Sequence, residues 1–315
     1  MNRLKTSFVG LDLNNPIMTA SGCFGFGREY KDYFDPSELG AVVVKGLTNE
    51  PRDGNYGTRI AETPAGMLNC VGLENPGIDY FENVILEEIK DITSPIIANI
   101  NGKTVEEYIE IAKRVEKIDA VKAIELNISC PNVKDGGMAF GANPEVAGKV
   151  TKMVREVTTK PIIVKLSPNV TDIVGIAKIV EANGADAVAL INTLLGMAID
   201  IKKKKPVLGN IFGGLSGPAV KPVALRMVYQ VSQAVNIPVL GMGGISSVED
   251  AIEFFMAGAN AISLGTGIFT NPMLPVEIKE GLQKYCEENN LENISEIVGC
   301  IHPPKAVEEK KEKTA

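Results

Sequence analysis

Residues 161–193 read PIIVKLSPNVTDIVGIAKIVEANGADAVALINT. The first run, PIIVKLS, is almost continuous in aliphatic residues and ends around Lys165; the last, AVALINT, ends at Asn192 and Thr193. Between them, TDIVGIAKIVEANGA (171–185) places apolar residues at helical spacing, with a glycine near its stop. Strands buried on both faces read as unbroken apolar runs, so the stretch predicts two parallel strands joined by a helix.

Working outward, the same unit recurs. PIMTASG (16–22), AVVVKGLT (41–48), PIIANING (95–102) and AIELNIS (123–129) precede it, and PVLGMGG (238–244) and AISLGTG (261–267) follow. A second helical pattern, TVEEYIEIAKRVEKI, occupies 104–118. Eight strand-and-helix units without a break predict an α/β fold, a (β/α)8 TIM barrel with extended loops at its C-terminal mouth. The expected organisation is one barrel domain over residues 1–304 and a charged, frayed tail over 305–315. MNRLKTSFVGLDLNN (1–15) predicts a hairpin closing the barrel bottom. Residues 49–77 and 194–218 are too long for simple turns, and both follow strands, where barrel loops build sites. The lysine run 202–205 within the second reads as a solvated loop.

Composition removes several function classes. A net charge of −7 leaves no basic footprint for nucleic acid, and the absence of tryptophan removes the best base-stacking group. Five cysteines (Cys23, Cys70, Cys130, Cys286, Cys300) form no C-x-x-C pair, which predicts free thiols in a reducing cytoplasm and no iron–sulfur cluster in this chain. The single histidine, His302, lies near the tail, so neither a histidine triad nor a metal site is expected. No apolar run is long enough to span a bilayer.

The strand ends carry the chemistry. Ser21, Gly22, Lys45, Asn99, Asn127, Lys165, Asn192, Thr193, Gly243, Gly244, Gly265 and Thr266 all fall where one barrel mouth would collect them. Singly, each is an ordinary strand-end group satisfied by a neighbouring loop; jointly they predict a polar basin for a planar, carbonyl-rich ligand. The glycine turns GMGGISS and GTGIFT follow the seventh and eighth strands, the usual phosphate position in barrels. In NISCPNVKDGGMAFGANPE (127–145), Cys130 follows a strand end and precedes a glycine-rich loop. Nearby lysines lower a thiol pKa and make it a usable base. The other four cysteines read as small buried hydrophobes.

Together NISCPN (127–132), VVVKG (42–46), NCVGLENPG (69–77), INT (191–193), GMGGI (241–245) and GTG (265–267) resemble the dihydroorotate dehydrogenases, in order from Ser21 to Thr266. The loop SCPNVKDGGMAFGANPE (129–145) is similar to the NAD-linked class 1B. The resemblance implies FMN held by Ser21, Gly22, Lys45, Gly46, Asn99, Asn127, Lys165, Ile191, Gly217, Gly243, Gly244, Gly265 and Thr266. It implies dihydroorotate held by Lys45, by Asn69, Cys70, Val71, Gly72 and Leu73, and by Asn127, Asn192 and Thr193, with Asn132 a further candidate. Cys130 would be the catalytic base in oxidation of dihydroorotate to orotate for pyrimidine biosynthesis.

The chain has no G-x-G-x-x-G after a strand and so no recognisable dinucleotide site. In the class it resembles, a partner subunit carrying FAD and a [2Fe–2S] cluster relays electrons to NAD+, in a heterotetramer of two catalytic and two partner chains. The competing readings are the fumarate-linked homodimer of the same family (class 1A), a barrel isomerase or lyase acting on a sugar phosphate, and a non-catalytic metabolite sensor.

Overall fold

The computed structural model describes residues 2–129 and 141–303. Eight parallel strands form the central sheet: Ile17–Thr19, Val42–Val43, Ile96–Ile100, Val121–Asn127, Ile162–Lys165, Ala187–Leu190, Val239–Met242 and Ala261–Leu264. They pair in sequence order, the first also pairs with the eighth, and a parallel bridge from Met18 to Ala41 closes the ring. All eight strands coincide with the aliphatic runs, so the (β/α)8 barrel is the observed fold.

Strand periodicity sorts the core into two parts. Alternate residues such as Ile17, Ala98, Ile124, Val164 and Leu190 point outward into one large cluster with the helices. Their neighbours Met18, Val43, Ile97, Ala123, Ile163, Ala189 and Leu240 point inward. The helices match the outward set: in Val105–Glu116, Tyr108, Ile111, Ala112 and Val115 are buried, the i, i+3, i+4, i+7 stripe of an amphipathic helix. Thr104 caps that helix by accepting from Glu107 N–H, and Asp172 caps Ile173–Ala182 by accepting from Gly175 N–H.

The bottom of the barrel is closed as expected. Strands Thr6–Phe8 and Leu11–Leu13 form an antiparallel hairpin whose Phe8 and Leu13 join the inward cluster. The inner face is therefore apolar at the base. Towards the strand C-termini the same inward parity turns polar, through Asn99, Glu125, Asn127 and Lys165.

The two long insertions are more ordered than loops. Ile60–Thr63, Gly66–Asn69, Leu194–Met197 and Phe212–Ser216 form a four-stranded antiparallel sheet over the mouth. Its central pairing sets Gly214 opposite Asn69 and Ser216 opposite Met67. Each insertion pairs within itself as an antiparallel hairpin, and the four-stranded sheet forms because the barrel brings the two distant excursions to one edge. Lys202, Lys203, Lys204 and Lys205 are exposed, in the connection between the short strands Ile199–Asp200 and Lys205–Pro206. Among the described residues, no helix is long and apolar enough to cross a membrane.

Candidate active site

Two adjoining cavities open at the C-terminal mouth. The larger lies over the polar ends of the barrel strands, and the second lies against the glycine turns after the seventh and eighth strands. Both are lined by Ser21, Cys23, Lys165, Asn192, Thr193, Ser216 and Thr266, so they form one continuous site. An elongated ligand with a phosphate at one end matches that shape.

The larger chamber takes in Gly22, Lys45, Gly46, Asn69, Val71, Gly72, Leu73, Asn99 and Asn127. The narrower one takes in Ile191, Gly217, Gly243, Gly244 and Gly265. Every sequence-derived candidate within the described residues thus lines the site, with one exception. Cys70 is buried away from it among Leu68 and Leu208, its thiol directed at Thr58 O 3.6 Å away. Alternation along the Asn69–Leu73 segment turns that side chain from the cavity while its neighbours face in. Cys130 and Asn132 lie outside the described residues.

The narrow chamber is shaped for close backbone approach. Gly243 and Gly244 adopt φ of 126° and 80°. A Cβ on Gly243 would sit 2.7 Å from Ala224 Cβ, and one on Gly244 would sit 2.8 Å from Gly217 O. Only glycine fits both the conformation and the space. Ser263 borders this chamber, and its Oγ is buried with no hydrogen-bond partner among the described residues. A buried hydroxyl left unpaired in a glycine cradle suits a phosphorylated ligand. Thr266 Oγ donates to Ser216 Oγ at 2.7 Å, tying the eighth-strand turn to the overlying sheet.

The larger chamber is cationic and amide-rich. Lys165, 5% exposed, projects from the fifth strand and lies 3.6 Å from the fully buried Glu125. Lys45 extends from the end of the second strand, its own N–H donating to Gly25 O at 2.7 Å. On the roof, Gly72 and Leu73 both take positive φ, 82° and 58°. For a leucine that conformation is strained, and such strain concentrates where a backbone must present itself to a ligand.

Several site residues are not among the strand-end candidates. Glu125 was legible by counting back two from Asn127 along an inward-facing strand. Met67, Gly214 and Ser216 were not, because only the sheet over the mouth brings them in. The cysteines also need correction. Cys70 and Cys286 are buried, as expected of small hydrophobes, but Cys23 lines both cavities and Cys300 is exposed. Cys23 lies just past the first strand end, in the turn that begins the mouth.

Burial pushes the Cys23 thiol from 9.0 up to about 11, against the opposing pull of Lys165 and then Lys45. Cys23 is therefore neutral at pH 7. The native thiol keeps its proton to about pH 11, whereas the unfolded one loses it near 9.0. Between those values the native state binds more protons, so rising pH favours unfolding. Urea titrations from pH 8 to 11 should show a loss of up to about 2–3 kcal/mol from this group, which Cys23→Ala removes. An unaltered alkaline slope in that variant would show that burial is not holding the proton.

A polar mouth over a plugged barrel, with a glycine cradle beside two lysines and an asparagine-lined basin, is the arrangement of a (β/α)8 barrel enzyme. The chain belongs to the dihydroorotate dehydrogenase family, whose model matches residues 3–286. It is 58% identical over 303 residues to the dihydroorotate dehydrogenase B (NAD(+)) catalytic subunit of Brachyspira hyodysenteriae, covering 96% of this chain and 100% of that protein. It is 56% identical over 299 residues to the subunit of the same name from Geobacillus sp., covering 95% of this chain and 96% of the relative. A solved dihydroorotate dehydrogenase from Eimeria tenella, in complex with ferulenol, superposes with a TM-score of 0.81 at 21% identity. That match covers 96% of this chain and 90% of the other, and shows the shared barrel.

Proposed function

We propose that this chain is the catalytic subunit of an NAD-linked dihydroorotate dehydrogenase, oxidising dihydroorotate to orotate in pyrimidine biosynthesis. The observation that carries the reading is the pair of joined chambers, one a glycine cradle and the other a basin of amides and lysines, in a chain more than half identical to subunits of that name.

The residues fit FMN. Gly217, Gly243, Gly244, Gly265 and Thr266 would hold the phosphate end. Lys165, Asn99, Ser21 and Gly22 would hold the ring end. Bound FMN supplies the hydride acceptor. Lys165 would offer a fixed cation to the ring of the bound flavin, at a depth where water screens little. Lys45 meets the substrate carboxylate, and Asn69, Asn127, Asn192 and Thr193 fix the ring. The segment from Asn69 to Leu73 roofs the chamber and limits water.

Cys130 takes the proton from the carbon next to the ring carbonyl. Support comes from the motif and from its neighbour: Ser129 is buried, and its hydroxyl bonds Asn127 and Asn192 at the chamber floor. A partner subunit carrying FAD and a [2Fe–2S] cluster would supply the route to NAD+, with two copies of each chain in a cytoplasmic heterotetramer. The relatives' designation as a catalytic subunit supports a partner. So do Leu195, Met197, Ile199, Ile201 and Phe212, exposed apolar residues on the insertion beside the mouth.

The test is anaerobic mixing with dihydroorotate. Purified protein should be yellow and should bleach in a single turnover, and colourless protein that cannot take up FMN would end this reading. With the partner co-expressed, NAD+ reduction is expected. Efficient fumarate turnover by the lone chain would instead indicate the class 1A homodimer.

A further inference from the structure

A chain of side-chain hydrogen bonds runs beneath the floor of the larger chamber. Asn99 Nδ2 donates to Glu125 Oε1 at 2.5 Å, and Lys165 Nζ lies 3.6 Å from the same oxygen. Asn101 Nδ2 donates to Asn99 Oδ1 at 2.8 Å, and Asn127 Nδ2 donates to Asn101 Oδ1 at 2.7 Å. Asn127 Oδ1 accepts from the Ser129 backbone N–H at 3.3 Å and from its hydroxyl at 2.8 Å. Ser129 Oγ accepts from Asn192 Nδ2 at 2.6 Å, and Asn192 Oδ1 accepts from Thr193 N–H at 2.7 Å.

The direction of this chain is dictated from both ends. A side-chain amide can turn over, exchanging donor for acceptor with almost no change in shape. A carboxylate only accepts, so Asn99 must offer Glu125 its N–H, and its oxygen then faces Asn101. At the far end, the backbone N–H groups of Ser129 and Thr193 only donate, so Asn127 and Asn192 must offer oxygens. Both ends demand the same polarity. Each of the lining asparagines, Asn99, Asn127 and Asn192, thus commits its oxygen inside the protein and keeps one N–H uncommitted. With Lys45 and Lys165, the floor becomes a surface of donors. It selects ligands rich in carbonyl and carboxylate oxygens.

Glu125 is the costly member. It is fully buried, and its Oε2 has no hydrogen-bond partner among the described residues. A buried ion pair is weak support for stability compared with an apolar pair, so folding alone does not account for it. We propose that Glu125 is a positioning residue that locks Asn99 with its oxygen turned to Asn101 and one N–H left for the chamber, and that partly neutralises Lys165, thereby setting how strongly the site favours an electron-rich ring. This rests on the FMN reading above.

Two variants test it, after wild-type protein has been shown to take up FMN. Glu125→Gln keeps the shape but removes the charge. Its flavin midpoint potential, measured anaerobically, should move positive by at least tenfold in the reduced-to-oxidised equilibrium, about 30 mV for two electrons. Asn101 is hidden from both chambers, and Asn101→Asp sets an acceptor-only group against Asn99 Oδ1. Calorimetric titration of FMN into that apo-protein should show at least tenfold weaker binding, with an unchanged circular dichroism spectrum. A Glu125→Gln midpoint potential shifted positive by less than about 30 mV, or FMN binding in Asn101→Asp weakened by less than tenfold, would overturn the proposal while leaving the flavin reading intact. If Glu125→Gln fails to fold, Glu125→Asp, which draws the carboxylate back from Asn99 and Lys165, takes its place with the same expected direction and the same overturning result. Wild-type protein that takes up no FMN removes both.

Discussion

Replacing Cys130 by alanine is expected to leave FMN uptake intact and to slow flavin reduction by dihydroorotate by about 10²–10⁴-fold, the usual contribution of a positioned general base. The loss should fall on the chemical step, because a methyl group in place of a thiol removes little binding surface. Rapid anaerobic mixing, following flavin bleaching in a single turnover, isolates that step from electron exit to the partner. The thiolate is the basic form, so the wild-type rate should climb with pH until the thiol is ionised and then level off. The thiol that lines the cavity, Cys23, offers no substitute: burial pushes it up to about 11. Bleaching at the wild-type rate in Cys130→Ala would take the base role away from this residue.

Replacing Lys165 by methionine should be nearly as damaging, and to two properties at once. Methionine has similar length and no charge, so the main change is a stranded Glu125 carboxylate at zero exposure. Removing one partner of a buried pair typically costs about 3–5 kcal/mol, visible as a lower urea midpoint with an unchanged slope. Flavin affinity, or the ease of flavin reduction, should fall in the same protein, since the cation facing the ring is gone. The double variant Lys165→Met with Glu125→Gln should recover most of the stability and none of the flavin effect. If the single variant is as stable as wild type, Glu125 is not dependent on the lysine. The flavin effect would then need a separate cause.

Much of the fold and of the site is legible in the residues alone. Aliphatic runs ending in polar residues reflect strands buried on both faces, and eight of them in alternation with helical patterns leave few architectures open. Since every barrel strand points its C-terminal end at one mouth, the strand ends are also site residues. Lys45, Asn99, Asn127, Lys165 and Asn192 all line the chamber for that reason. The glycine turns are legible because a backbone at φ 126° next to Ala224 tolerates no side chain.

What the sequence determined by itself is what depends on local chain geometry: strand and helix period, turn chemistry, and the shared direction of the strand ends. Tertiary structure alone decided what depends on residues far apart in the chain. Ser216 and Met67 meet across a sheet joining insertions from the second and sixth strands, and no local pattern encodes that pairing. The orientation of Cys70, the exposure of Cys23 to the cavity, and the polarity of the amide chain anchored at Glu125 belong to the same group. Each is fixed by which neighbour happens to face it, and hydrogen bonding and burial are set by proximity in space.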